Sequence, residues 1–229
     1  MRQITRRELL TSATIVSAMA VCTGGLMLLA DNAEGKFLLR PPGALDERAF
    51  LASCIKCGQC VQVCPYRSIK LLDLQSGINT ATPYIDAFER GCYLCDLFPC
   101  ILCCPSGALD PKIQEIDQVH MGIAKTINPQ RCINRSEIKV TTEDINRIVA
   151  HGNRTDLEKE TNEKLQAQIG KDCTLCLEVC RVPNRDDAIK LMDGQPVIGE
   201  GCVGCGACVE VCPVQIFEVV ANPTTKENI

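Results

Sequence analysis

Eighteen of the 229 residues are cysteine, and most of them fall in tight groups. The first group reads Cys54-Ile-Lys-Cys57-Gly-Gln-Cys60-Val-Gln-Val-Cys64-Pro65, and the last reads Cys202-Val-Gly-Cys205-Gly-Ala-Cys208-Val-Glu-Val-Cys212-Pro213. Three thiolates within seven residues can wrap one face of a metal–sulfur cubane. A fourth, three residues further on and followed by proline, turns away into a short helix and reaches a second cubane. This C-x2-C-x2-C-x3-C-P run is the arrangement bacterial ferredoxins use for [4Fe–4S] clusters. Gly58 and Gly206 suit it, because a residue without Cβ lets the backbone approach closely. The two runs are also an internal repeat without insertion, displaced by 148 positions (54 to 202). Each is followed by an alternating stretch that reads as a strand, Ser68-Ile-Lys-Leu-Leu and Ile216-Phe-Glu-Val-Val.

Two further groups depart from the run. Cys92-x2-Cys95-x4-Cys100-Ile-Leu-Cys103-Cys104-Pro105 carries two extra residues before its third ligand. The x3 spacing and the following proline favour Cys104 as the fourth ligand over the surplus Cys103, with an exchange of the two left open. Cys173-x2-Cys176-x3-Cys180 has three cysteines, with Arg181 in place of proline. Cys132 is the remaining candidate for its fourth ligand; the alternatives are a three-cysteine [3Fe–4S] site or a free Cys132.

Sixteen cysteines are therefore expected to be iron ligands for four [4Fe–4S] clusters: Cys54, Cys57, Cys60, Cys64, Cys92, Cys95, Cys100, Cys104, Cys132, Cys173, Cys176, Cys180, Cys202, Cys205, Cys208 and Cys212. The complete first and last groups are expected to exchange Cys64 and Cys212, and the middle groups Cys104 and Cys180. Other uses of cysteine fit less well. A disulfide framework does not need near-identical triplets, and zinc ribbons use separated C-x2-C pairs. No C-x-x-C is followed by His, so covalent haem attachment is excluded, and the two histidines, His120 and His151, read as surface or packing residues. No glycine-rich dinucleotide fingerprint or P-loop is present. No residue is assigned a catalytic role.

Composition agrees with a scaffold organised by thiolates. There is no Trp, with five Phe and three Tyr, so large aromatic side chains contribute little burial, whereas metal binding energy becomes folding energy. The net charge of −4 and the absence of a Lys/Arg cluster give no nucleic-acid footprint. At the N-terminus, Thr5-Arg6-Arg7-Glu8-Leu9-Leu10 precedes an apolar stretch to about Ala30, which reads as a twin-arginine export signal, cleaved or anchoring; the alternative is an ordinary membrane helix. Cluster assembly needs reduced thiols, and the bacterial periplasm oxidises them. A folded, loaded protein is the form to export. Cys22 lies inside this leader and reads as a small apolar residue.

The elements that position the groups can be outlined. Residues 1–33 form the signal. Residues 34–132 carry the first two groups, with a helix from Asp46. Residues 133–172 are a charged, cysteine-free helical insertion in which Thr155-Asp-Leu-Glu158 looks like a capping box for a helix to about Ile169. That insertion reads as a solvated excursion, or else a docking arm. Residues 173–229 carry the last two groups, with a hairpin at Asp193-Gly194. The fold class is α+β, with two ferredoxin-like double-cluster units.

Several segments together resemble the MauM/NapG family of periplasmic ferredoxin-type proteins: the twin-arginine leader, Leu39-Arg-Pro-Pro-Gly-Ala44, CIKCGQCVQVCPY, Thr82-Pro-Tyr84, the Cys92–Cys104 group with Pro-Ser-Gly-Ala-Leu-Asp110, and Met121-Gly122. The 40 residues between Cys132 and Cys173, and the proline missing after Cys180, depart from the family pattern. The resemblance implies a periplasmic relay. Electrons would pass from a membrane-bound iron–sulfur quinol-oxidising subunit, through this chain, to a periplasmic or membrane-anchored c-type cytochrome and on to nitrate reductase. Methylamine oxidation, or another quinol-linked or molybdopterin reductase complex, is the alternative destination.

Overall fold

A computed structural model describes residues 38–221, which belong to one compact unit. The leader, with Arg6, Arg7 and Cys22, lies outside the described residues. Among the described residues no helix is long and apolar enough to cross a membrane.

The expected mixture of helix and strand is present, in short pieces. Helix α1 (Glu47–Ser53) starts where Asp46 accepts a hydrogen bond from the Ala49 N–H at 3.1 Å, an N-cap that satisfies one orphan donor. Helix α2 (Gln59–Val63) carries the first cysteine group. Strands β1 (Ile69–Leu71) and β2 (Pro83–Ile85) pair antiparallel around the turn at Ser76-Gly77. Helix α3 (Pro99–Leu102) belongs to the second group. Strand β3 (Gly122–Thr126) follows, then α4 (Thr142–Val149) and α5 (Asp156–Gln166) of the insertion. Helices α6 (Leu175–Glu178) and α7 (Arg185–Ala188) lead into the hairpin of β4 (Ile189–Met192) and β5 (Gln195–Ile198). Asp193 and Gly194, both at positive φ (51° and 73°), make its turn as the Asp-Gly pair predicts. Helix α8 (Ala207–Val211) carries the last group, and β6 (Phe217–Ala221) ends the described chain.

Strand β6 pairs with β3, not with a strand of its own ferredoxin half. The halves are thereby sewn together, and a boundary at residue 132 does not divide them. The segments that carry the family resemblance make specific contacts, within the first half and across the seam. Arg40 is buried and donates to Thr82 Oγ1 and to the Pro83 carbonyl, each at 2.8 Å. A Cβ at Gly122 would lie 2.3 Å from the Val220 carbonyl oxygen. Gly122 is therefore required for close strand approach.

The insertion is a correction to the expected solvated excursion. Ile145, Ile148, Val140 and Leu165 are buried in a second apolar cluster with Tyr66, Tyr93, Val179 and Val211. Helix α5 also ends at Gln166, not Ile169. Thr155 caps it by accepting from Glu158 N–H at 3.2 Å, but the Glu158 carboxylate turns away from the cap. It accepts from Arg90 at 3.2 Å and from Arg154 N–H at 2.9 Å. The full capping box belongs to α4, where Thr141 and Asp144 bond reciprocally.

Candidate iron–sulfur sites

Each cysteine group is built in the same way. A loop holds the first two thiols, a helix of four or five residues carries the third, and the fourth stands at or just past the helix end. Cys64 caps α2 and Cys212 caps α8, both with ψ near 112° (112° and 114°), which turns the chain out of the helix. Cys104 and Cys180 follow the last turns of α3 and α6. The loops need left-handed backbone at equivalent places: Lys56, Leu94 and Gly204 each precede the second thiol with φ of 59°, 45° and 71°.

The helices pack in pairs, α2 on α3 and α6 on α8, and the pairing decides where each fourth thiol goes. Cys54, Cys57, Cys60 and Cys104 line one cavity with Phe50 and Leu109. Cys92, Cys95, Cys100 and Cys64 line a second with Tyr66 and Tyr93. Cys132, Cys173, Cys176 and Cys212 line a third with Ile216 and Phe217. The fourth set is Cys180, Cys202, Cys205 and Cys208: Cys180 and Cys202 both raise the thiol pKa of Cys205 and of Cys208, and Cys202 raises that of Cys180, as near neighbours do. These are called the first to fourth sites below. Neighbouring groups therefore exchange ligands. The expected exchange of Cys64 with Cys212, and of Cys104 with Cys180, is corrected: each helix packs on that of the adjacent group, not on that of its sequence repeat.

The two open assignments also find places. Cys104 lines the first cavity, where backbone N–H groups of Leu109, Ser106 and Ala108 lower its pKa against the raising effect of burial. Cys103 instead donates to the Cys100 carbonyl at 3.3 Å. Cys132 is buried in the third set, brought there from the far side of the insertion.

The fit to an iron–sulfur cubane can be judged from the thiols themselves. Among the described residues, no three His, Cys, Asp or Glu groups close on a single-ion position. The thiols instead surround small, mostly apolar pockets, four cysteines to each. Four thiols lining each of three pockets, with none of these sets closing on a single-ion position, suit a polynuclear group better than a tetrahedral ion. Donors face the sulfurs: Ala124 N–H lies 3.4 Å from Cys202 Sγ, and Ile216 N–H lies 3.5 Å from Cys212 Sγ. Burial pushes the bare thiols up, Cys60 and Cys205 to about 12 and Cys95 and Cys173 to about 11. A ligating thiolate therefore depends on the positive metal for its stability in these cavities.

A buried charge network lies beside the second and fourth sites, and the sequence reading missed it. Arg90 donates to Glu210 at 2.8 Å and to Glu158 at 3.2 Å, and all three side chains are buried. The second Glu210 oxygen accepts from Gly91 N–H at 2.8 Å. Burial raises the Glu210 carboxyl pKa, opposed by Arg90. The guanidinium also stands over the stacked rings of Tyr66 and Tyr93, whose centroids are 4.4 Å apart. One signal was available: Glu210 takes the place of Gln62 in the repeat.

Comparison with known proteins agrees with this geometry. A 4Fe–4S dicluster domain matches residues 53–108, the span within which Cys64 and Cys104 are exchanged, and a 4Fe–4S binding domain matches residues 196–218. The chain is 33% identical to the ferredoxin-type protein NapG of Escherichia coli over 91% of its length and 80% of the relative's. It is 33% identical to the methylamine utilization ferredoxin-type protein MauM of Paracoccus denitrificans, covering 92% and 84% of the two chains. With MauM of Methylorubrum extorquens the identity is 34%, over 90% and 84%. No solved structure matches.

Proposed function

This chain belongs to the family of ferredoxin-type proteins that includes NapG and MauM, and we propose that it is a four-cluster periplasmic relay between a membrane quinol-oxidising partner and a c-type cytochrome. The iron–sulfur electron-transfer role follows from the family and from its two 4Fe–4S domains. The number of clusters, the compartment and the partners are the proposal. One observation carries it: sixteen thiols fall into four sets of four, and sets adjacent in the chain exchange a ligand through paired helices.

A bound [4Fe–4S] cluster supplies reversible one-electron chemistry. The protein's part is to hold the ligands, exclude water and direct hydrogen bonds at sulfur. The left-handed turns at Lys56, Leu94 and Gly204 aim paired thiols into one cavity. Phe50, Leu109, Ile216 and Phe217 keep water from the cavities they line. Nitrate reduction is the destination favoured by the resemblance to NapG. Methylamine oxidation is the second reading, because the MauM relatives match equally well. The Arg6-Arg7 leader supports export of the folded chain.

Iron and acid-labile sulfide per chain, measured on anaerobically purified protein, test the cluster number. About sixteen of each are expected at four per cubane, with spin-coupled signals after reduction. About twelve would remove the third site from the set, and zinc in their place would end the electron-carrier reading. Oxidation of the reduced protein by a c-type cytochrome, followed by rapid mixing, tests the partner.

A further inference from the structure

The two halves of the molecule touch through the ligands themselves. The Cys92 N–H donates to the Cys205 carbonyl at 2.8 Å, and Cys92 forms an isolated parallel bridge with Gly206. Cys92 is a thiol of the second site and Cys205 of the fourth. Beside this contact, Gly91 approaches α8 so closely that a Cβ would stand 2.6 Å from the Ala207 backbone. The Arg90–Glu210 pair, with Glu210 also holding Gly91 N–H, clamps the seam from behind. Within each half the link is the exchanged ligand: Cys64 and Cys104 between the first and second sites, Cys180 and Cys212 between the third and fourth. Among the described residues, neither the first nor the third site has a second link of either kind.

We propose that the sites form one row in the order first, second, fourth, third, and that the Cys92–Cys205 hydrogen bond is where electrons cross between the halves. The order rests on the reading that each site holds a [4Fe–4S] cluster. It departs from chain order because β3 pairs with β6. That pairing sets the last group against the second and leaves the third group, completed by Cys132, at the far end. The halves therefore meet through the later cysteine group of each. In each step one site loses an electron and its neighbour in the row gains it, with no bond made and no proton moved. A reduced iron–sulfur protein at one end and an oxidised haem protein at the other complete the balance. The ends are unlike: Ile55, Lys56 and Cys57 are exposed at the first site, whereas all four thiols of the third are buried.

Electron spin relaxation on the full-length, anaerobically loaded chain tests the order. Cys57→Ala is expected to convert the first site to a three-iron form, paramagnetic in both of its oxidation states, which serves as a spin probe there while the other sites are reduced. Reduction of the remaining sites should speed its relaxation. In Cys57→Ala/Cys95→Ala/Cys100→Ala, which takes two of the four thiols from the second site and with them its cluster, that enhancement should be lost, since the first site has no other neighbour. Enhancement that persists in the triple variant overturns the order. Gly91→Ala, with iron content unchanged, should remove the spin coupling between the second and fourth sites and leave the couplings within each half. Coupling that survives across the displaced seam overturns the crossing point. A wild-type chain with fewer than four clusters would instead overturn the cluster reading, a result that iron and sulfide counts report separately.

Discussion

The first and last cysteine groups share their spacing, their helix length and a left-handed glycine after the second thiol, with φ of 72° at Gly58 and 78° at Gly206. Their surroundings are opposite. Helix α2 buries none of its residues, whereas α8 buries Ala207, Val209, Glu210 and Val211. Ile55 of the first loop is 64% exposed, whereas its counterpart Val203 is 4% exposed. The same local chemistry thus occurs once at the rim and once at the centre. Spacing determines how thiols are presented; the rest of the chain determines what they face. Since the potential of a cluster depends on burial, charge and hydrogen bonds, two sites with one motif need not share one potential.

Substituting equivalent ligands separates these two contributions most strongly. Cys60→Ser is expected to leave a folded protein that has lost iron at the first site alone, because α2 stands at the surface. Cys208→Ser removes the same ligand from the buried helix that joins both halves, and metal binding there is folding energy. A large drop in melting temperature, with iron lost beyond one cluster, is expected. Equal melting temperatures for the two variants would show that the centre of the molecule is held by side-chain packing alone. The next largest effect belongs to Arg90→Ala. It leaves Glu158 and Glu210 buried without their cation, a change that typically costs about 3–5 kcal/mol. Denaturant unfolding of the loaded protein would read it, and Gln62→Ala on exposed α2 should change stability by less than about 0.5 kcal/mol.

Much of the ligand chemistry was legible because it is local. The runs around Cys54 and Cys202, the hairpin at Asp193-Gly194 and the helix start at Asp46 each depend on residues within a few positions. Pairing of the groups was not local. The sequence repeat suggests that like pairs with like, yet exchange follows which helices pack together, α2 on α3 and α6 on α8. The insertion was misread for a related reason. Its charges are visible in the sequence, but the alternation that buries Ile145, Ile148 and Leu165 is diluted among them, and Glu158 and Asn162 are themselves buried. A buried carboxylate reads as a surface one until its partner is known, and Arg90 lies 68 positions away from Glu158.

Smaller effects sharpen the comparison at the shared glycines. Both adopt left-handed backbone, so alanine costs about 1–2 kcal/mol at either place. At Gly58 the added Cβ meets nothing nearer than Leu71 Cδ1 at 3.6 Å; at Gly206 it would stand 2.6 Å from Ala87 Cβ. Gly206→Ala should therefore exceed Gly58→Ala in lost stability by the overlap, and overpacking of this kind costs about 1–3 kcal/mol. Matching losses would mean that the seam beside Ala87 yields freely.

Ile55→Ser should have the smallest effect on stability and still report on function. The side chain is exposed at the rim of the first pocket, so a change within about 0.5 kcal/mol is expected. Ile55 nevertheless sits between Cys54 and Cys57, on the loop that brings the first site to the surface. If electrons enter or leave there, the second-order rate of exchange with a redox protein should fall while iron content, melting temperature and internal spin couplings stay as in the wild type. The matched change at the centre, Val203→Ser, should do the reverse: it loses buried packing and stability but leaves partner exchange intact in molecules that remain folded. A rate unaffected by Ile55→Ser would move the port to another part of the row, and the asymmetry between the two groups would then concern stability alone.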